Sequence, residues 1–228
     1  MIVINNANVR KILKIVIPFV LIPLIAASGV LLFDEKKHIL VSLVVAVFSL
    51  LLFIAGFEKK VTGTRRMVLV AIMTAISVLG RFIPFFKPIT AITVITAMYL
   101  GSESGFLVGA LSALLSNFYF GQGPWTAFQM LAWGLIGWIA GAVSPYLKKS
   151  RILLLAYGVI SGIIFSLIMD VWTVLWYNSG FDPDLYLASV VTAIPHTILY
   201  AVSNFIFLFL LAGPFGEKLD RIKLKYGV

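Results

Sequence analysis

An all-α polytopic membrane protein with about eight transmembrane helices is the fold class this sequence predicts, and three observations predict it. Hydrophobic residues make up 61% of the 228 positions and charged residues 12%, with a mean hydropathy of +1.06. That is far from the soluble balance of about half apolar and a quarter charged. The apolar residues fall in runs approaching the ~20 residues a helix needs to cross a bilayer. The basic residues, which give a formal net charge of +9, sit in short clusters between those runs. Their placement reads as topology and not as a nucleic-acid surface.

Eight segments follow in order, at about 12–33, 39–56, 67–85, 88–100, 104–120, 125–147, 152–177 and 187–213. The first begins among the basic residues Arg10, Lys11 and Lys14 and contains the small residues Ala26-Ala27-Ser28-Gly29, as a signal peptide would. Its apolar run is longer than a signal core, so a retained helix is expected. The second is apolar throughout. The third carries Arg81 near its end, and the fourth, between Pro88 and Gly101, is short and rich in threonine. A crossing there is required by the charges. With both termini cytoplasmic, fourteen of the 18 basic residues lie inside, leaving Lys36, Lys37, Arg81 and Lys87 outside, as the positive-inside rule demands. The fifth segment ends on Asn117 and the sixth begins near Gln129, across the Gly121-Gln122-Gly123-Pro124 turn. The seventh holds Asp170. The eighth holds Pro195 and His196, about two and a half turns from its start.

Chemistry is bounded mainly by what is missing. Cysteine is absent, so disulfides and thiol chemistry are excluded. No phosphate-binding loop, His-Glu-x-x-His helix or Gly-x-Ser-x-Gly turn occurs, so no catalytic residue and no bound metal or cofactor is expected. What remains is a set of intramembrane polar residues that default to a functional-site hypothesis. Arg81, Asn117, Gln129, Asp170 and His196 share the expected outer half of the membrane, a pattern suited to a cavity open to the outside. Asp170 pairing with Arg81, and His196 satisfying carbonyls freed at Pro195, are the packing alternatives; Asn204 lies deeper and is expected to bond across helices.

Aromatic residues gather at the same end: Phe85, Tyr119 and Trp125 near the turns, with Trp133 one turn from Gln129. Some of these rings belong to an interfacial belt. Rings beside a few amides suit a large planar or mostly apolar ligand with polar edges, and Gln122 lies in a glycine-flanked turn that can approach it closely. Four pairs of small residues recur at four-residue spacing: Ala71/Ala75, Gly109/Ala113, Gly137/Gly141 and Gly158/Gly162. Most are expected to be internal packing seams.

From about Thr64 to the C-terminus, the chain resembles the substrate-binding S components of energy-coupling factor (ECF) vitamin transporters. The stretch VAIMTAISVLGRFIPF resembles the family's first core helix, and FLVGALSALLSNFYFGQGPWTAFQMLAWGLIGWIAG its third and fourth. The resemblance implies two extra N-terminal helices over residues 1–63 and a six-helix core over 64–228. It implies that Ala71 and Ala75 form the motif that docks on a transmembrane coupling subunit, served by two cytoplasmic ATPases. The S component would capture a vitamin outside the plasma membrane of a bacterium and deliver it by toppling. The group associated with cobalamin is the most similar, with riboflavin-like or queuosine-like heterocycles as the smaller alternatives; the depth of His196 argues against its ligating cobalt. A structural membrane subunit and a gradient-driven transporter are the readings from other classes, and the latter lacks paired broken helices in matched halves.

Overall fold

In the computed structural model, which describes residues 6–32, 37–56 and 60–226, the described chain is helical with no strand. Lys36, assigned above to the outside, and Lys59, one of the fourteen inside, lie outside the described residues. Every one of the eight expected segments falls on a helix.

Helix α1 (Ala7–Val16) is capped by Asn6, whose side-chain oxygen accepts from the Asn8 amide at 2.9 Å. Pro18 cannot donate to the helical ladder, and the chain passes through a five-residue π-helical turn (Ile17–Leu21) into α2 (Ile22–Leu32). Helix α3 (His38–Ala55) returns antiparallel, with Val41 filling the space a side chain on Gly29 would need. These helices pack on the rest of the bundle through an edge-on contact of Phe19 with Trp138, 4.8 Å between centroids. An ion pair of Lys14 with buried Glu103, at 2.7 Å, adds a polar tie.

Helix α4 (Lys60–Gly80) buries Val70, Met73, Thr74 and Ser77, one stripe at helical spacing. It stops at Gly80, five residues before the expected end, because the 81–88 turn contains Pro84 and Phe85 takes a positive φ of 61°. Helix α5 (Ile89–Leu100) has eleven of its twelve residues buried. Its shortness follows from that position: a helix enclosed by others needs no lipid-facing band, and Thr96 satisfies its hydroxyl on the Ile92 carbonyl at 2.7 Å. Pro88 lies against Gly80 and Gly101 against Arg66, so α5 runs the length of α4 in the opposite sense.

Helices α6 (Ser102–Phe120) and α7 (Trp125–Ala142) form the tightest seam. A Cβ added at Gly137 would meet the Gly105 carbonyl carbon and oxygen at 2.6 Å, and one at Gly109 would meet the Trp133 backbone at the same distance. The two backbones therefore touch, as small residues permit in membranes. Gly137→Leu is expected to lower stability by about 1–3 kcal/mol through overpacking. Thermal unfolding in detergent reads this, with Gly213→Ala as a comparison, since nothing lies within 4 Å of that position. An unchanged melting temperature for the Leu variant would show that the seam can open without loss.

The expected sixth segment divides. After Val143 a short helix α8 (Ser144–Lys149) begins, with Pro145 in its first turn, and α9 (Arg151–Asn178) starts at the Ser150 cap. Helix α10 (Pro183–Tyr226) is far longer than expected, running 44 residues through Pro195 and Pro214. Gly162 meets the backbone of Tyr200 and Ala201, and Asn204 donates to the Gly158 carbonyl at 3.0 Å, the expected cross-helix bond.

By length and composition, Ala7–Leu32, His38–Ala55, Arg151–Asn178 and Pro183–Tyr226 can cross a membrane. The chain is an all-α polytopic membrane protein. Connectivity brings the turns 81–88, 121–124 and 179–182 to one end of the bundle. The other end holds Arg66, Lys148, Arg151 and the basic tail.

Candidate functional site

At the end where the three turns meet, a cavity of about 230 Å³ opens between the 81–88 turn, the start of α5, α7 and α10, lined by Arg81, Phe85, Lys87, Gln129, Trp133, His196 and Tyr200 among others. Each side chain is held for a local reason. Arg81 follows the last turn of α4, and its guanidinium donates to Ser116 Oγ at 2.5 Å and Asn117 Oδ1 at 2.6 Å. Lys87 is fastened by three hydrogen bonds. Its backbone N–H donates to Ser203 Oγ at 2.8 Å, its carbonyl accepts from the same hydroxyl at 3.1 Å, and its ammonium donates to the Arg81 carbonyl at 2.7 Å. The 81–88 turn is thereby tied to α10. On the inner wall, Trp133 stacks on Phe165 at 4.6 Å, which in turn meets Tyr200 edge-on at 5.0 Å.

Asn117 is 1% exposed and does not line the cavity. Its role is to set polarity. Arg81 is a donor only, so Asn117 must present its oxygen there and turn its Nδ2 away. That Nδ2 donates to Thr126 Oγ1 at 2.9 Å and to Gln129 Oε1 at 2.8 Å. The oxygen of Gln129 is consequently occupied, and its N–H groups are what it offers to the cavity. Gln122 is also turned inward: its Nε2 donates to the Leu114 carbonyl at 2.8 Å and its Oε1 accepts from Thr126 at 3.0 Å. The two amides flanking the turn thus belong to one network.

Of the ten expected ligand contacts, Arg81, Phe85, Gln129, Trp133 and His196 converge on the cavity. Tyr119 is 73% exposed and joins Phe82 and Phe120 in a ring cluster at the mouth, with centroids 4.7 Å and 5.1 Å away. Trp125 packs edge-on against Trp172 at 5.9 Å and fills the space beside Gly123. Asp170 stands apart. It is 6% exposed, its Oδ2 has no hydrogen-bond partner, and it is not among the cavity residues. Arg81 bonds to Ser116 and Asn117 instead of pairing with it. Lys87 and Tyr200 were not singled out from the sequence as ligand contacts. Tyr200 lies four residues after His196 on one helix face, which is the signal that could have found it.

The small-residue pairs sort themselves. The glycines of three pairs meet neighbouring helices inside the bundle, whereas Ala71 and Ala75 are exposed on α4 beside exposed Met67, Val68, Ile72 and Leu79. The gaps of about 410 Å³ around Tyr99, Lys148 and Arg151, and of about 280 Å³ beside Arg65 and Tyr226, lie at the opposite, basic end.

The family model described as ECF-type riboflavin transporter, S component, matches residues 61–219, beginning within three residues of Thr64. No curated protein and no solved structure matches. With the greater part of the chain matched, and with the cavity and the free alanine face both inside the matched region, the chain belongs to the ECF-type riboflavin transporter S-component family.

Proposed function

We propose that this chain captures a ring-system vitamin at the cell surface for an ATP-driven importer, with cobalamin or a related corrinoid as the ligand. The observation that carries the capture role is the convergence of Arg81, Gln129, Trp133 and His196 on one cavity, backed by the Asn117 network that holds the first two. Ligand and depth are joined by the aromatic mouth. Phe85 and Tyr119 are 75% and 73% exposed, more ring surface than a ligand confined to the cavity would cover. A corrinoid seated over the mouth covers them. A flavin is the second reading, favoured by the family's description and by a cavity of about 230 Å³, which suits one compact ring system.

In this reading the mouth faces outward, because the basic clusters sit at the other end. Ala71 and Ala75 meet the coupling subunit, and two cytoplasmic ATPases supply the energy that this chain has no residues to obtain. The deciding experiment is uptake of radiolabelled cobalamin into vesicles containing this chain with and without a co-purified coupling subunit and ATPase pair, riboflavin serving as competitor. Uptake that needs every subunit and ignores riboflavin is the expected result. Uptake displaced by riboflavin would transfer the assignment to flavins, and absence of binding for both would point to another heterocycle such as a queuosine-like one, or to a structural subunit. Within the site, Gln129→Ala is expected to weaken binding by roughly 1–3 kcal/mol, the loss of a ligand amide contact. Calorimetry checks this, and unchanged affinity would remove Gln129 from the ligand contacts.

A further inference from the structure

The polar groups around the cavity are unbalanced in one direction. Arg81 and Lys87 both line it, with His196 across from them on α10, and no aspartate or glutamate does. Among the described residues neither Arg81 nor Lys87 has a carboxylate within ion-pair reach. Their hydrogen-bond partners are neutral oxygens: Ser116, Asn117 and the Arg81 carbonyl. Ring faces give partial compensation, with Phe120 centred 5.0 Å from the Arg81 guanidinium and 5.3 Å from the Lys87 ammonium. That contact leaves both charges in place.

Hydrogen-bonding capacity leans the same way. Arg81 fixes the orientation of Asn117, which fixes that of Gln129, so Gln129 offers donors. Arginine and lysine have no acceptor to offer. A wall of donors around uncompensated positive charge matches an oxyanion and matches a neutral carbonyl edge far less well. Burial and the neighbouring Arg81 charge also hold the Lys87 ammonium below the usual lysine range, a repulsion that a bound anion relieves.

We propose that the cavity selects ligands whose ring system carries a phosphate ester, the phosphoryl oxygens being held between Arg81 and Lys87 with Gln129 donating alongside. This rests on the capture role assigned above and adds a charge requirement to it. It applies to either ring system, since cobalamin carries a phosphodiester and flavin mononucleotide a phosphomonoester.

The test uses two pairs that share a ring and differ only in a phosphoryl group: cobinamide phosphate against cobinamide, and flavin mononucleotide against riboflavin. Each is titrated calorimetrically into the full chain in nanodiscs. The expected result is that the phosphate-bearing member of whichever pair binds is preferred by about tenfold or more, as a charge-assisted hydrogen bond gives. That preference should shrink as potassium chloride is raised. Lys87→Gln should reduce the ratio within the pair to near unity, and Lys87→Arg should keep it, so a variant that merely misfolds is recognised by losing both members together. Binding with no phosphate preference, or with the neutral member favoured, overturns the charge requirement and leaves the capture role standing. Binding of none of the four overturns both.

Discussion

Ala71→Trp is expected to abolish uptake while ligand affinity stays within about twofold of the unaltered protein. The reason is the separation of α4 into two faces. Val70, Met73, Thr74 and Ser77 are buried against the bundle, whereas Ala71 and Ala75 lie among exposed apolar residues on the other side. Two alanines one turn apart make a flat strip that lets another helix approach closely, and an indole there holds it off. The ligand cavity lies beyond the end of the same helix and shares no residue with that strip. Uptake into vesicles and binding to the isolated chain are measured on the same variant. Equal loss of both would mean that the strip supports the fold and not a partner; undiminished uptake would show that no partner approaches there.

The second large effect is at Asn117. Asn117→Leu keeps the γ-branched heavy-atom outline but removes the acceptor for Arg81 and the donor to Thr126 and Gln129, all inside the bundle. Losing a hydrogen bond to a charged group costs about 1.5–3 kcal/mol, and the half-buried guanidinium is left with Ser116 as its side-chain hydrogen-bond partner. Ligand affinity should fall by about tenfold to a hundredfold, since both Arg81 and Gln129 lose their orientation. Asn117→Asp separates two causes. It retains an acceptor for Arg81 and places a negative charge beside it, so it should fold better than the Leu variant while discriminating less in favour of phosphate esters. Thermal unfolding alongside calorimetry distinguishes these outcomes, and an Asn117→Leu protein with unchanged affinity would show that Arg81 and Gln129 hold their positions unaided.

Much of the architecture was legible because apolar runs and basic clusters act independently of tertiary detail. Helix α5 was the hardest segment, since its length is set by burial on all sides, which no local pattern records. The end of α4 was misplaced because Phe82, Ile83, Phe85 and Phe86 continue an apolar run past the point where Pro84 and the positive φ of Phe85 stop the helix. At the site, the kind of residue was readable and its duty was not. Asn117 and Gln129 were equivalent as amides in a greasy helix, yet one faces the cavity and the other orients it, a difference decided by the donor-only character of Arg81. Lys87 was counted only as an outside charge, because its place at the cavity depends on Ser203, 116 residues away. Asp170 is the converse case, a costly intramembrane carboxylate that depth placed with the others and that is not among the residues lining the cavity.

The continuous course of α10 has a consequence for the two ends of the bundle. At 1.5 Å per residue its 44 residues extend about 66 Å, more than the roughly 40–45 Å of a bilayer with its headgroups. One helix therefore carries His196 and Tyr200 at the cavity and, toward its other end, Gly216 beside Tyr99 and Tyr226 accepting from Arg65. Because Ser203 clasps the 81–88 turn to this helix, the cavity and the basic end share one continuous element, its hydrogen-bond ladder interrupted only at Pro195 and Pro214.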